Sequence, residues 1–224
     1  MTALRLHAIT LSEAHRAALA VNGDKPPSLP TPTGTYAVPG VPTTLIPFRD
    51  LCAVVSEQKA FALDEVSADV VTSHRAIVDA IFRRAAVLPA PVGVVFRAPD
   101  VLTRWMELHY VSLTSALDYV DDRAVARVHI TRSDNTGEPL EEGSELAAVA
   151  NESVRALRRV AVAAITVHGD PSASSLSVAF LVERETWKEF TRGVKDQSDA
   201  HHLLHFETTG PWAPYDFVRM QFGG

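Results

Sequence analysis

Apolar residues recur along this chain with two different periods, and the switches between them lay out its elements. From Leu4 to Ile9 apolar and polar positions alternate, with Leu4 and Leu6 on one face, which predicts a strand. Ser12 to Leu19 has the makings of a short helix. Thr43–Phe48 and Leu51–Ser56 are apolar runs separated by Arg49-Asp50, the pattern of a hairpin. The period then lengthens. Val70, Val71, His74, Ile77, Val78, Ile81 and Phe82 fall three and four apart, a helical stripe that Asp64 or Ser67 would cap. Pro89, Pro91 and Gly93 end that pattern, and the β-branched run Val92 to Phe96 predicts a buried strand. Pro99 suits a first helical turn, and Leu102, Trp105, Met106, Leu108, Leu113 and Leu117 carry one helix to about Tyr119.

The second half is more regular. Arg123 to Thr131 alternates, with Ala124, Ala126, Val128 and Ile130 facing a core and Val125, Arg127 and His129 the other side. A helix follows, with Leu146, Val149, Ala150, Val154 and Leu157 inward. Next come strands at Ala161–Val167 and Leu176–Val182, a helix over Glu183–Val194 packing Trp187 and Phe190, and a strand at His202–Thr208. This β-α-β-β-α-β order is the ferredoxin-like split, a four-stranded antiparallel sheet with both helices on one face. The expected fold is therefore α+β in two small domains. A looser N-terminal α+β domain spans 1–122 and carries a Pro-rich loop at 22–42. The ferredoxin-like domain spans 123–209, and a tail at 210–224 docks on the body. Six of the fourteen prolines lie between Asn22 and Pro42, the composition of a loop or tether.

Composition narrows the function. A formal net charge of −6 gives no attraction to nucleic acid or anionic lipid. No window reaches the apolar length of a membrane span. His7, Glu13, His15 and Arg16 interrupt any signal-like run at the start. The single cysteine, Cys52, cannot close an internal disulfide and fits a reducing compartment. These features together predict a cytoplasmic protein without nucleic-acid or membrane partners.

Candidate chemistry is sparse. His201, His202 and His205 invite a metal, yet on a strand His202 points away from the other two and no cysteine completes a set, so no metal or cofactor is expected. Asp121-Asp122 and Glu141-Glu142 read as solvated turn acids, and Ser172, Ser174 and Ser175 lack a nucleophile-elbow context. Cys52 reads as a small core residue, and His74 as a hydrogen-bonded core histidine. Arg75, Arg83, Arg84 and Arg155, Arg158, Arg159 cluster on helices, as solvated faces or as a meeting place for an acidic partner.

Two stretches are denser in special residues than the rest. One is His74 followed by Leu88-Pro89-Ala90-Pro91-Val92-Gly93 and then Val94-Val95-Phe96. The other is Gly210-Pro211-Trp212-Ala213-Pro214-Tyr215-Asp216-Phe217-Val218. With Leu51–Ser56 and Ala179–Val182, they give a chain that resembles the gas vesicle protein F/L family (GvpF/GvpL) over nearly its whole length. Three departures stand out. Pro91-Val92 replaces the usual Arg-Phe, Val125 a usual Glu, and Ala213 one proline of the closing motif.

The resemblance implies a non-enzymatic accessory protein of gas vesicles, a minor shell component or assembly factor. It would bind the main gas vesicle shell protein and other accessory proteins, in the cytoplasm and associated with the vesicle. The expected partner-binding or tail-docking residues are Leu88, Pro89, Gly93, Phe96, Gly210, Pro211, Trp212, Pro214, Tyr215 and Phe217. Two rival readings are a small-molecule enzyme with His74, His129 and Glu207 meeting in a cleft, and an interaction module unrelated to vesicles.

Overall fold

The computed structural model describes residues 2–12, 42–59, 66–133, 140, 144–167, 175–218 and 220. All but Ser12 of the helix expected at Ser12–Leu19, and nearly all of the Pro-rich loop, lie outside them. The chain divides into two compact units, one of Asp122–Phe217 and one of Met1–Asp121 with Val218–Gly224.

In the first unit an antiparallel sheet runs β2 (Thr44–Phe48), β3 (Leu51–Lys59), β1 (Thr2–Leu11), β4 (Val87–Pro89). A two-residue strand, β5 (Val95–Phe96), pairs with Leu4 and Arg5 of β1. The expected hairpin forms, with Phe48 paired to Leu51 and Arg49 at φ 54 in the turn. Tyr110 donates from its hydroxyl to Asp50 Oδ1 at 2.7 Å, and the Arg49 guanidinium lies 4.7 Å from the Tyr110 ring centre, so the turn is held from outside.

Leu51 to Ser56 is buried on both faces, as a strand covered by helices on each side must be. Leu6, Leu51, Ala53 and Val55 meet Leu102, Met106, Leu113 and Leu117 on one face. The other face meets α1 (Ala68–Phe82), whose His74, Ile77, Val78, Ile81 and Phe82 are buried. Ser67 caps α1, its Oγ accepting from Val70 N–H. A bulge between Leu6 and Ala8 switches the inward positions of β1, so Leu6 and Ile9 share a core.

Two expectations need correction here. The helix after Pro99 is not continuous: α2 (Pro99–Leu108) and α3 (Tyr110–Val120) meet at His109, whose backbone leaves helical geometry at φ −104 and ψ 10. The buried strand of the proline-rich junction is Val87–Pro89, ahead of the prolines' break. Val95 and Phe96 are only half-buried, so the run after Gly93 contributes a two-residue strand. Helix α1 stops at Phe82, before any proline.

The second unit follows the expected order: β6 (Arg123–Arg132), α4 (Glu145–Leu157), β7 (Ala163–Thr166), β8 (Leu176–Glu183), α5 (Trp187–Ala200) and β9 (Leu204–Trp212). The sheet order β7-β8-β6-β9, antiparallel throughout, is the ferredoxin-like arrangement. Ala126, Val128 and Ile130 pack on Val154, Leu157, Phe190 and Val194 of the two helices. Val125, on the opposite face, is also fully buried, among Ala179, Leu181 and Phe217.

The last strand is longer than its apolar pattern, reaching Trp212 through Gly210-Pro211. It therefore takes in three residues expected to open the tail. Proline is tolerated because β9 lies at the edge of its sheet, where a missing N–H breaks no interior ladder. Of the three closing histidines only His205 is on the strand. His202 sits in the preceding turn and His201 caps α5, so the face-sharing of His201 and His205 does not arise.

Candidate functional site

The closing motif is built from both sides of a bulge. Val125 pairs with Trp212 but Arg127 with Thr209, so Gly210 and Pro211 are accommodated opposite Ala126. Gly210 has φ +127, and its peptide bond to Pro211 is cis. A Cβ there would stand 2.6 Å from the Val125 carbonyl oxygen. Only glycine fits this close approach.

Beyond the bulge, outward and inward residues separate. Gly210, Pro211 and Trp212 face solvent, and Trp212 remains 46% exposed although its Nε1 donates to Thr209 Oγ1 at 3.1 Å. Ala213 and Pro214 are buried. Tyr215 is half-buried, and Phe217 packs against Val125, Ala179 and Leu181. A bidentate pair fastens this end: Arg127 Nε donates to Asp216 Oδ2 at 3.0 Å and its Nη2 to Oδ1 at 2.8 Å. The fork geometry favours the contact, while exposure of the arginine weakens it by solvent screening. Asp216→Asn should cost about 1–2 kcal/mol in unfolding free energy, more at low than at high salt, in denaturant titrations at two ionic strengths.

At the first stretch, Leu88 and Pro89 are core residues, paired with Ile9 and Ala8 of β1 and closed to solvent. Burial there serves the sheet. Gly93 is exposed in the turn at φ +98, where its Cβ would meet Val66 Cγ2 at 3.3 Å. Phe96 is half-buried against Trp105, ring centres 5.7 Å apart.

Beneath this stretch lies an arrangement with no signal in the local pattern. His7 Nδ1 faces His74 Nδ1 at 3.1 Å, and His7 Nε2 meets Ser56 Oγ at 2.9 Å. Two facing Nδ1 atoms share one hydrogen: one ring donates and the other accepts. His7 and His74 are 2% and 0% exposed. Burial pushes the His7 imidazole down to about 3, helped by charge on His74 and by the Arg5 guanidinium. Burial likewise takes His74 down to about 4, against a hydrogen bond to the Ala90 backbone that favours its charged form. The pair is a neutral polar lock tying β1, β3 and α1. His74 is thus the hydrogen-bonded core histidine expected, with a partner that sequence spacing does not reveal.

His129, invoked by the enzyme reading, bonds Ser177 Oγ through Nδ1 at 2.7 Å, and Glu207 is its cross-strand neighbour on β9. His74 is already engaged inside its own unit. Cys52 is buried, as expected of a core residue. Among the described residues no group of three or more His, Cys, Asp or Glu side chains has the geometry to hold a metal, and no helix is long and apolar enough to cross a membrane.

A family model described as gas vesicle synthesis protein GvpL/GvpF matches residues 20–146 and 141–219. The chain belongs to the GvpL/GvpF family. It is similar to gas vesicle protein L of a Streptomyces species, 27% identical over 84% of this chain and 87% of that one. It is also similar to gas vesicle protein F2 of Halobacterium salinarum, 24% identical over 80% and 81% of the two chains. The fold matches crystal structures of GvpF from Anabaena, with a TM-score of 0.76 at 14% identity over 99% of this chain and all of that one. GvpF from Microcystis aeruginosa gives a TM-score of 0.67 at 14% identity over 97% and 99%. The α+β fold expected from the sequence is therefore that of solved GvpF structures, and the GvpL/GvpF resemblance of the two special stretches holds across the chain.

Proposed function

We propose that this GvpL/GvpF family member is a non-enzymatic accessory protein, a minor shell component or assembly factor. It binds the main gas vesicle shell protein and other accessory proteins in the cytoplasm, at the vesicle. Membership of a gas vesicle family supports the setting, and the closing segment supports the mode of action. Trp212 stands exposed on an edge strand beside Pro211, while Pro214 and Phe217 anchor the same segment from within. An indole held by its backbone loses little entropy on binding, and tryptophan is enriched at binding hot spots. The edge of β9 offers backbone groups to an added strand. A shell subunit with an apolar face aggregates unless that face is covered before assembly, and such a surface suits the task.

Gly210, Pro211 and Trp212 form the outward rim in this reading, with Pro214, Tyr215 and Phe217 as its support. Gly93 and Phe96 form a second contact, and Leu88 and Pro89 hold that stretch in the core. The test is capture of co-expressed shell protein on the tagged chain. Trp212→Ala should weaken binding by roughly thirtyfold, the loss of about 2 kcal/mol at a hot-spot residue, and recovery should fall with it, with the circular dichroism spectrum unchanged. Equal recovery by the folded variant and the parent would reject the rim.

A further inference from the structure

The arginines that end α4 sit on a surface the proposed rim does not use. Arg155, Arg158 and Arg159 are all exposed, one after another across the end of the helix and the 3-10 turn Arg158–Val160. None forms an ion pair among the described residues, whereas Arg123 and Arg127 of the same unit pair with Glu183 and Asp216. Favourable charge at a helix C-terminus accounts for one arginine. Three like charges within five residues repel one another, and in a chain of net charge −6 they form a local exception.

Arg155 also closes one end of a groove of about 450 Å³ along α4. Leu140 and Leu176 line it with the small side chains Ala147 and Ala148, and Asn151 lies between these and Arg155. The Asn151 amide donates to the Ala147 carbonyl oxygen at 2.8 Å, and Ala148 is exposed. Apolar walls with a cationic end describe a ligand that is itself amphipathic.

We propose that this groove and its arginine turn dock an acidic, partly apolar segment of a partner protein. Its leucine-like side chains lie against Leu140, Ala148 and Leu176, and its carboxylates meet Arg155, Arg158 and Arg159. A short acidic segment touches the arginines alone. A long nucleic acid would also meet the negative field of the rest of the chain, which disfavours it.

Fluorescence anisotropy with a labelled peptide of Glu and Leu tests this on the full chain. Binding should weaken roughly tenfold between about 50 and about 300 mM salt, since the contact is between exposed charges. The triple reversal R155E/R158E/R159E should weaken it at least tenfold. Ala148→Trp, which fills the groove from an exposed position, should weaken it with every charge retained. Absence of binding to the parent chain would overturn the proposal. So would equal binding of the same peptide with Gln in place of Glu, or tighter binding of a single-stranded oligonucleotide.

Discussion

Lowering the pH from 7.5 to 5 should cost the first unit about 4 kcal/mol of stability, from two histidines alone. His7 and His74 are neutral in the folded chain because burial holds them down to about 3 and about 4. In the unfolded chain each titrates near 6.5. The folded pKa values are therefore depressed, and the unfolded state binds the extra protons. The contribution is fully present above pH 6.5 and is lost as pH falls through the window from 6.5 to about 3. At pH 5 each unfolded imidazole gains about 2 kcal/mol by protonation, and the folded pair gains none. Asp79, whose carboxyl is raised by burial, works in the opposite direction. Denaturant titrations across this range measure the loss, and imidazole proton shifts identify its source. Two histidine resonances should stay unmoved between pH 7 and 5. If all nine histidines of the chain shift with midpoints near 6.5, the neutral pair is refuted.

Gly210→Ala should destabilise the second unit by about 2–4 kcal/mol, the range of a clash with a strand's backbone added to backbone strain. Two costs coincide there. The backbone sits at φ +127, where residues with a Cβ are disfavoured, and the added carbon would lie 2.6 Å from the Val125 carbonyl oxygen. That oxygen belongs to the central strand β6 and cannot step aside without disturbing its pairing with β8. Gly93→Ala is the matched comparison in the other unit. It has a similar positive φ, but its neighbour is the Val66 side chain at 3.3 Å, which can yield. Its cost should be about 1 kcal/mol, the backbone term alone. Thermal melts of the two variants should therefore differ clearly, with Gly210→Ala the lower. Equal melting temperatures would mean that the Val125 contact is relieved by the surrounding backbone.

The two results bear on what the sequence exposed and what it hid. Periodicity was legible wherever one element buried one face: α1 from Val70 to Phe82, and the alternation of β6, whose even-numbered residues face the helices. The order of elements in the second half sufficed for its ferredoxin-like sheet. Features set by distant partners were not legible. His7 and His74 are 67 residues apart, and nothing in either neighbourhood announces that their rings face each other. The break at His109 interrupts a stripe whose apolar spacing continues across it.

Prolines misled in one consistent way. Pro89, read as ending a helical pattern, instead closes β4, and the last strand, expected to stop at Thr208, runs on through Pro211; β4 and β9 are edge strands, where a missing N–H breaks no interior ladder. At the candidate site, the density of Gly, Pro and aromatic residues picked out the two segments but not which of their side chains are buried. The division between buried support and exposed rim depended on the bulge opposite Ala126, which no single-strand pattern encodes.

Co-expression with the main gas vesicle shell protein tests the central claim most directly, that this family member works by covering a partner's surface. The shell protein should stay in the soluble fraction and elute with this chain in size-exclusion chromatography. A shell protein that pellets equally with and without the chain, with none co-eluting, would contradict it.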